Sequence, residues 1–251
     1  MVAAQVDKLP DEIIEHLRTS RSVAVLSGAG ISAESGVPTF RQAQTGLWAQ
    51  FDPLQLATPG AFQNDPKLVW DWYSWRRKLI SESQPNPGHN ALVDLENHYP
   101  EFTLITQNVD GLHQMAGSTQ VIELHGNIFR TKCSRENRLI SGKIQTAETP
   151  PFCPNCGANL RPDVVWFGES LPEDELDQAL GAVSTCQVFI SIGTSTLVEP
   201  AAALPFIALR NGAMVLEINP QITPLTPQAS YSVQGNAGDL LPILAVQVTS
   251  S

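Results

Sequence analysis

The chain has 251 residues, 42% of them hydrophobic, which is enough to bury one large core or two unequal lobes. Its 15 Lys and Arg stand against 25 Asp and Glu, a formal net charge of −10. That balance argues against nucleic-acid binding, which depends on clustered cations that displace counterions from phosphate, and it disfavours highly acidic partners.

No window approaches the roughly 18 apolar residues of a membrane span. The N-terminus reaches Asp7 and Lys8 before a signal-peptide core forms. A soluble, cytoplasmic protein without membrane partners is expected, and two of its four cysteines form Cys153-Pro154-Asn155-Cys156, which in a reducing compartment favours metal or redox chemistry over disulfides.

In chain order, Pro10–Arg18 places Ile13, Ile14 and Leu17 on one helical face. Short β-branched runs follow at Ser22–Leu26, Phe102–Ile105, Val121–Leu124, Val188–Ile192 and Met214–Ile218, each reading as a buried parallel strand. Asp65-Pro66 starts a helix that runs to about Ser83. Glu173–Val183 is amphipathic, and Leu240–Val246 closes the chain as a helix or a strand. This alternation implies an open α/β sheet. Residues 37–99 and 126–165 break it and read as a smaller inserted lobe, with residues 1–36, 100–125 and 166–251 forming the sheet-bearing domain. Ligands of such sheets bind beyond the carboxyl ends of the strands.

The first strand is followed by Gly28-Ala29-Gly30-Ile31-Ser32-Ala33, a Gly-x-Gly-x-x-Gly/Ala pattern that serves either a dinucleotide diphosphate or an ordinary glycine turn. A hydride-transferring dehydrogenase also needs a ribose-binding acid at the end of its second strand. Asp52 lies at about the right distance, but Gly46–Phe51 before it is no buried strand, so Asp52 reads as a surface or turn residue. The strand ending at Ile105 delivers Gln107-Asn108-Val109-Asp110, where Asn108 and Asp110 serve as ligand contacts or as helix caps. The next delivers His125-Gly126, a candidate general base beside a glycine that permits close approach.

Together, Gly28-Ala29-Gly30-Ile31-Ser32, Gly36-Val37-Pro38-Thr39-Phe40-Arg41, Gln107-Asn108-Val109-Asp110 and His125-Gly126 resemble the sirtuin (Sir2) family of NAD-dependent protein deacylases. The resemblance spans nearly the whole chain, with Val165-Trp166-Phe167-Gly168-Glu169 similar to the substrate strand, Gly193-Thr194-Ser195 to the ribose and phosphate loop, and Asn219 to the adenosine-ribose contact. It implies a Rossmann-like open parallel sheet with a smaller helical and zinc-ribbon-like lobe inserted. NAD is then consumed as co-substrate: the acyl oxygen of a modified lysine attacks the ribose carbon freed by nicotinamide, releasing lysine and O-acyl-ADP-ribose. His125 would be the general base, Asn108 would orient the ribose and a water, and Asp110 would hold the carboxamide. Phe40 and Arg41 would lie in the cofactor loop, with Gln107 and Ala237 among the cofactor contacts and Val165, Trp166, Phe167 and Gly168 against substrate.

On the helix after Asp65, Val69, Tyr73, Arg76 and Ile80 share one stripe, so Arg76 interrupts an apolar face. No acid occupies positions 72, 73, 79 or 80. A ligand carboxylate or a nearby loop carbonyl would satisfy the guanidinium. Tyr73-Ser74-Trp75-Arg76 resembles the Tyr-x-x-Arg signature of the class III sirtuins, which remove succinyl, malonyl or glutaryl groups, and Ala57 with Ala61 resembles their small-residue wall. Acetyl and succinyl groups are both expected substrates.

Cys153 and Cys156 have the form of a zinc knuckle. The family's second Cys-x-x-Cys reads Cys133-Ser134-Arg135-Glu136 here, so either Glu136 completes a zinc site with Cys133, Cys153 and Cys156, or the site is metal-free. Cys186 reads as a buried thiol. Mono-ADP-ribosyl transfer at the same NAD site and a non-catalytic NAD-binding module are the alternative activities.

Overall fold

The computed structural model describes residues 9–38, 52–142 and 148–250. Phe40 and Arg41 lie outside the described residues. Helix α1 (Asp11–Thr19) opens on Asp11 and Glu12 and buries Ile13, Ile14 and Leu17, as their spacing requires. Strand β1 (Ser22–Ser27) leads into a short helix α2 (Ala29–Ala33). Helices α3 (Pro53–Leu56), α4 (Pro59–Asn64), α5 (Pro66–Ser81) and α6 (Pro87–His98) follow. The Asp65 carboxylate caps α5 by accepting from Leu68 N–H at 2.9 Å, and the helix stops two residues short of the expected Ser83.

Strand β2 (Glu101–Thr106), helix α7 (Leu112–Ala116) and strand β3 (Val121–Glu123) come next, then the antiparallel pair β4 (Gly126–Cys133) and β5 (Leu160–Val164). The chain finishes through α8 (Glu173–Thr185), β6 (Val188–Ile192), a 3-10 turn at Ala201–Ala203, α9 (Leu204–Arg210), β7 (Met214–Ile218), β8 (Tyr231–Val233) and α10 (Ala237–Thr249). The last apolar stretch, open between helix and strand in the sequence, is thus helical.

Six strands form one sheet in the order β3-β2-β1-β6-β7-β8, every neighbouring pair parallel. This is the doubly wound order, and its switch point lies between β1 and β6. Alternate residues of each strand feed opposite cores, because successive side chains leave opposite faces. Val23 and Val25 join α1, α6 and α10 on one face, and Ala24 and Leu26 join α8 and α9 on the other.

A separate apolar cluster gathers Ala57, Phe62, Val69, Trp72, Tyr73, Ile80, Val164 and Trp166. A small fourth cluster holds Cys133, Cys153 and Leu160. Helix α6 falls inside the stretch 37–99, and its Ala91, Leu92 and Leu95 pack in the core beneath the main sheet with α10. Asn86 holds its start, accepting from Gly88 N–H at 2.9 Å while His89 Nδ1 accepts from Asn86 N–H at 3.3 Å. Periodicity shows an apolar face, not which core receives it.

Candidate functional site

The carboxyl ends of β1, β2 and β6 converge on a crevice built from the predicted motifs. Gly28 and Gly30 are required there for a reason the sequence left open. A Cβ on Gly30 would stand 2.6 Å from Gly193 Cα, and one on Gly193, whose φ is +57°, would stand 2.7 Å from Ile31 N. The loops after β1 and β6 therefore touch backbone to backbone, and Gly30 N–H donates to Gly193 O at 2.8 Å.

Asn108 sits just beyond β2. Its Nδ2 donates to Gly28 O and to Ser32 Oγ, both at 3.0 Å. Ser32 Oγ–H donates to Asp110 Oδ2 at 2.8 Å, and Asp110 Oδ1 accepts from Leu112 N–H at 2.9 Å. Asp110 therefore receives the first N–H of α7 with one oxygen and the Ser32 hydroxyl of the glycine loop with the other, whereas the Asn108 amide is spent on Gly28 and Ser32. Burial pushes the Asp110 carboxyl above its ordinary value, against the Leu112 and Ser32 hydrogen bonds that lower it.

Gln107 Nε2 donates to Thr194 Oγ1 at 2.9 Å, and Asn219 Nδ2 donates to Thr194 O at 2.7 Å. Gln107, Thr194 and Asn219 thus meet, with Ser195 next in the loop. Ala237 stands apart from them in the first turn of α10, where the neighbouring Gly238 N–H donates to Glu34 Oε1 at 3.0 Å. Asp52 is exposed and outside any strand, as read.

His125 Nδ1 lies 2.9 Å from Gln107 O. A carbonyl only accepts, so Nδ1 carries the proton and Nε2 keeps its lone pair. Burial lowers the pKa of the ring, opposed by the bond to Gln107. The result is a neutral imidazole, fixed in orientation, with a basic nitrogen. Next to it Gly126 adopts φ +76°, and a Cβ there would meet Asp163 O at 2.2 Å.

Val165 N–H donates to His125 O and Phe167 N–H donates to Ala57 O, each at 2.9 Å, which ties this segment to His125 on one side and to the turn between α3 and α4 on the other. The Tyr73 and Arg76 stripe forms as predicted: Val69, Tyr73 and Ile80 are buried and Arg76 is half-buried, its guanidinium carbon 5.3 Å from the centroid of the Trp72 ring. Ala57 and Ala61 pack in the same cluster. Burial weighs against the Arg76 charge, while Tyr73 and Asp110 favour it.

Cys133, Glu136, Cys153 and Cys156 bring their ligand atoms within 4.8 Å of one another. Cys133 Sγ and Cys156 Sγ are 3.4 Å apart. Three thiols and a carboxylate so gathered suit a tetrahedral zinc ion. Cys186 is buried away from them and burial lifts its thiol to about 11, so it is inert as read.

A buried polar chain escaped the sequence reading. Ser27 Oγ–H donates to Thr106 Oγ1 at 2.8 Å and pairs with His113 Nε2 at 2.8 Å, and Thr106 Oγ1 accepts from Asn108 N–H at 3.0 Å. The rings of His113 and His89 lie 4.9 Å apart, and burial holds them at about 3 and about 4, hence neutral. The legible signal was a hydroxyl at the carboxyl end of both β1 and β2.

The Sir2 family model matches residues 28–200. The chain belongs to the Sir2 family. This Sir2 chain is 55% identical over 217 residues to the NAD-dependent protein deacylase of Aquifex aeolicus, covering 86% of itself and 90% of that protein. It is 50% identical over 224 residues to NAD-dependent protein deacylase 1 of Caldanaerobacter subterraneus subsp. tengcongensis, covering 89% and 92%. Among solved structures, a Sir2 homolog–NAD complex superimposes with a TM-score of 0.90 at 44% identity, covering 96% of this chain and 94% of that one. Among the described residues no helix is long and apolar enough to cross a membrane.

Proposed function

We propose that this protein is an NAD-dependent protein-lysine deacylase that removes acetyl and succinyl- or malonyl-type groups and releases nicotinamide and O-acyl-ADP-ribose. The observation that carries this reading is the orientation of His125, locked by Gln107 O with its Nε2 lone pair left over, beside Asn108 and Asp110 at the switch-point crevice. Family membership and relatives named as deacylases support it.

In this reading NAD spans the Gly28–Ser32 loop, Gln107, Thr194, Ser195 and Asn219, with Phe40, Arg41 and Ala237 as further contacts. Asn108 orients the ribose and Asp110 the carboxamide, so the crevice supplies position and exclusion of water. A pyridinium leaves without acid help, and the chain's remaining task is to take one proton, which neutral His125 does at Nε2. Val165, Trp166, Phe167 and Gly168 receive the peptide by strand addition, and Tyr73, Arg76, Ala57 and Ala61 bound the acyl group. We assign α6 to the sheet-bearing domain and retain the other sequence-drawn boundaries. A cytoplasmic setting suits three clustered free thiols.

We assign zinc, as a structural ion, to Cys133, Cys153, Cys156 and Glu136. Protein purified without chelator should carry about one zinc per chain by elemental analysis. Cys153→Ser should lose it, and Glu136→Gln should release it faster to a chelator. Metal-free protein that keeps its fold would refute the assignment.

The deciding assay offers NAD with acetyl-lysine and succinyl-lysine versions of one peptide and follows nicotinamide and O-acyl-ADP-ribose by mass spectrometry. Both products should form with both peptides. ADP-ribose on a protein acceptor would shift the assignment to ADP-ribosyl transfer, and NAD binding without nicotinamide release to a binding module.

A further inference from the structure

The acyl pocket contains a hydrogen bond that decides which way one of its hydroxyls points. Trp166 is buried, and its indole Nε1–H donates to Tyr73 Oη at 3.0 Å. A tyrosine hydroxyl has one proton to give and two lone pairs to receive. Trp166 uses the accepting side, so the Tyr73 proton is left for another acceptor. Among the described residues no hydrogen-bond acceptor for it is found, and an O–H in such a buried place is costly to leave unmet. Burial pushes the Tyr73 hydroxyl up to about 12, so the proton stays on.

The indole is itself held from three sides. The Arg161 guanidinium carbon stacks 3.3 Å from its ring centroid, Phe62 lies 5.2 Å away between centroids, and the Trp166 amide donates to Glu169 Oε2 at 2.8 Å. Arg161 also donates to both Glu169 oxygens, at 2.5 and 2.8 Å. The donor that orients Tyr73 thus has little freedom to turn. Tyr73 and Arg76 are close enough to influence each other's charge, and Arg76 is similarly close to Asp110.

We propose that Trp166 is a specificity-determining residue, its indole N–H presenting the Tyr73 hydroxyl as a donor to the carboxylate of an acidic acyl group beside Arg76. This rests on the acyl-lysine reading above. An acetyl group offers no carboxylate and gains nothing from the arrangement. Trp166 acts through Tyr73, so its contribution lies in preference between acyl groups.

The test measures kcat and KM for succinyl- and acetyl-lysine forms of one peptide with the full chain, Trp166→Phe, Tyr73→Phe and the double variant. Trp166→Phe keeps an apolar ring and deletes the N–H. It should lower the succinyl-to-acetyl ratio of kcat/KM by about 3- to 10-fold, the size of one hydrogen bond, mainly through the KM of the succinyl peptide. The double variant should match Tyr73→Phe alone. An unchanged ratio, or losses that simply multiply, would overturn the role of Trp166 while leaving the acidic pocket standing. A wild-type protein that deacetylates but ignores succinyl-lysine would overturn the pocket itself and the proposal with it. If melting shows Trp166→Phe to be unfolded, β-(3-benzothienyl)alanine at position 166 repeats the test with the bicyclic shape kept and sulfur in place of N–H.

Discussion

Replacing His125 by Ala should cut kcat by about 10²- to 10⁴-fold, the span of general-base catalysis, and leave the dissociation constant for NAD within a few-fold. Gln107 keeps its bond to Thr194, and Asn108 keeps its bonds to Gly28 and Ser32, none of which involves the imidazole. Steady-state kinetics and calorimetric titration with NAD check the two halves separately. The acid limb of wild-type activity is the companion measurement. Burial lowers the His125 pKa, so the base stays unprotonated below the ordinary histidine value near pH 6.5 and activity falls only as pH drops through the lowered value. Activity retained in His125→Ala would remove the base assignment, and loss of NAD binding would make the ring a structural strut.

Glu169→Gln should lower the melting temperature by about 6–12 °C. The substitution leaves Arg161, whose side chain is 8% exposed, without its counter-charge and without one of two paired oxygens. Breaking such a buried pair costs about 3–5 kcal/mol, and the lower end applies because Glu169 is 25% exposed. A chain of this length loses roughly 2–4 °C per kcal/mol. Replacing both partners by Met should recover part of the loss, since an apolar pair needs no desolvated charge.

The pH dependence of that pair has a fixed sign. Burial raises the Glu169 carboxyl, but the Arg161 hydrogen bonds, the Trp166 amide and the Arg161 charge outweigh it and hold the group below its ordinary value. Its contribution is therefore complete above the usual carboxylate range near pH 4.3 and disappears as pH falls through the lowered native value. Melting curves of wild type and Glu169→Gln should converge in that acid range. A difference that persists unchanged there would show that the pair is not what the substitution removed.

How much could be read beforehand follows from the range of the forces involved. Five of the six parallel strands are legible as continuous apolar runs, which burial in the middle of a sheet demands, whereas the short edge strand β8, with no buried residue, carries no such run; the Asp65 start of α5 is legible because a cap is a local bond. The Tyr73 and Arg76 stripe was visible as a helical spacing. What escapes a sequence reading depends on partners distant in sequence: the packing of α6 against α10 joins segments about 150 residues apart, and the Ser27, Thr106 and His113 chain needs three elements to meet. Gly30 was legible as a glycine with a purpose, but its close neighbour Gly193 is 163 residues away, so the loop contact was not. Trp166 read as part of a substrate strand, while its bond to Tyr73 spans 93 residues.

The contact between Gly30 and Gly193 also limits how this crevice can be altered. A side chain at either position meets backbone atoms of the other loop, not its side chain. No second substitution across the contact can therefore make room for the first, and the two positions offer no compensatory path to drift or to directed selection. Variation in what the crevice accepts must enter elsewhere, at positions such as Asn219, where a side chain and not packed backbone meets the loop after β6.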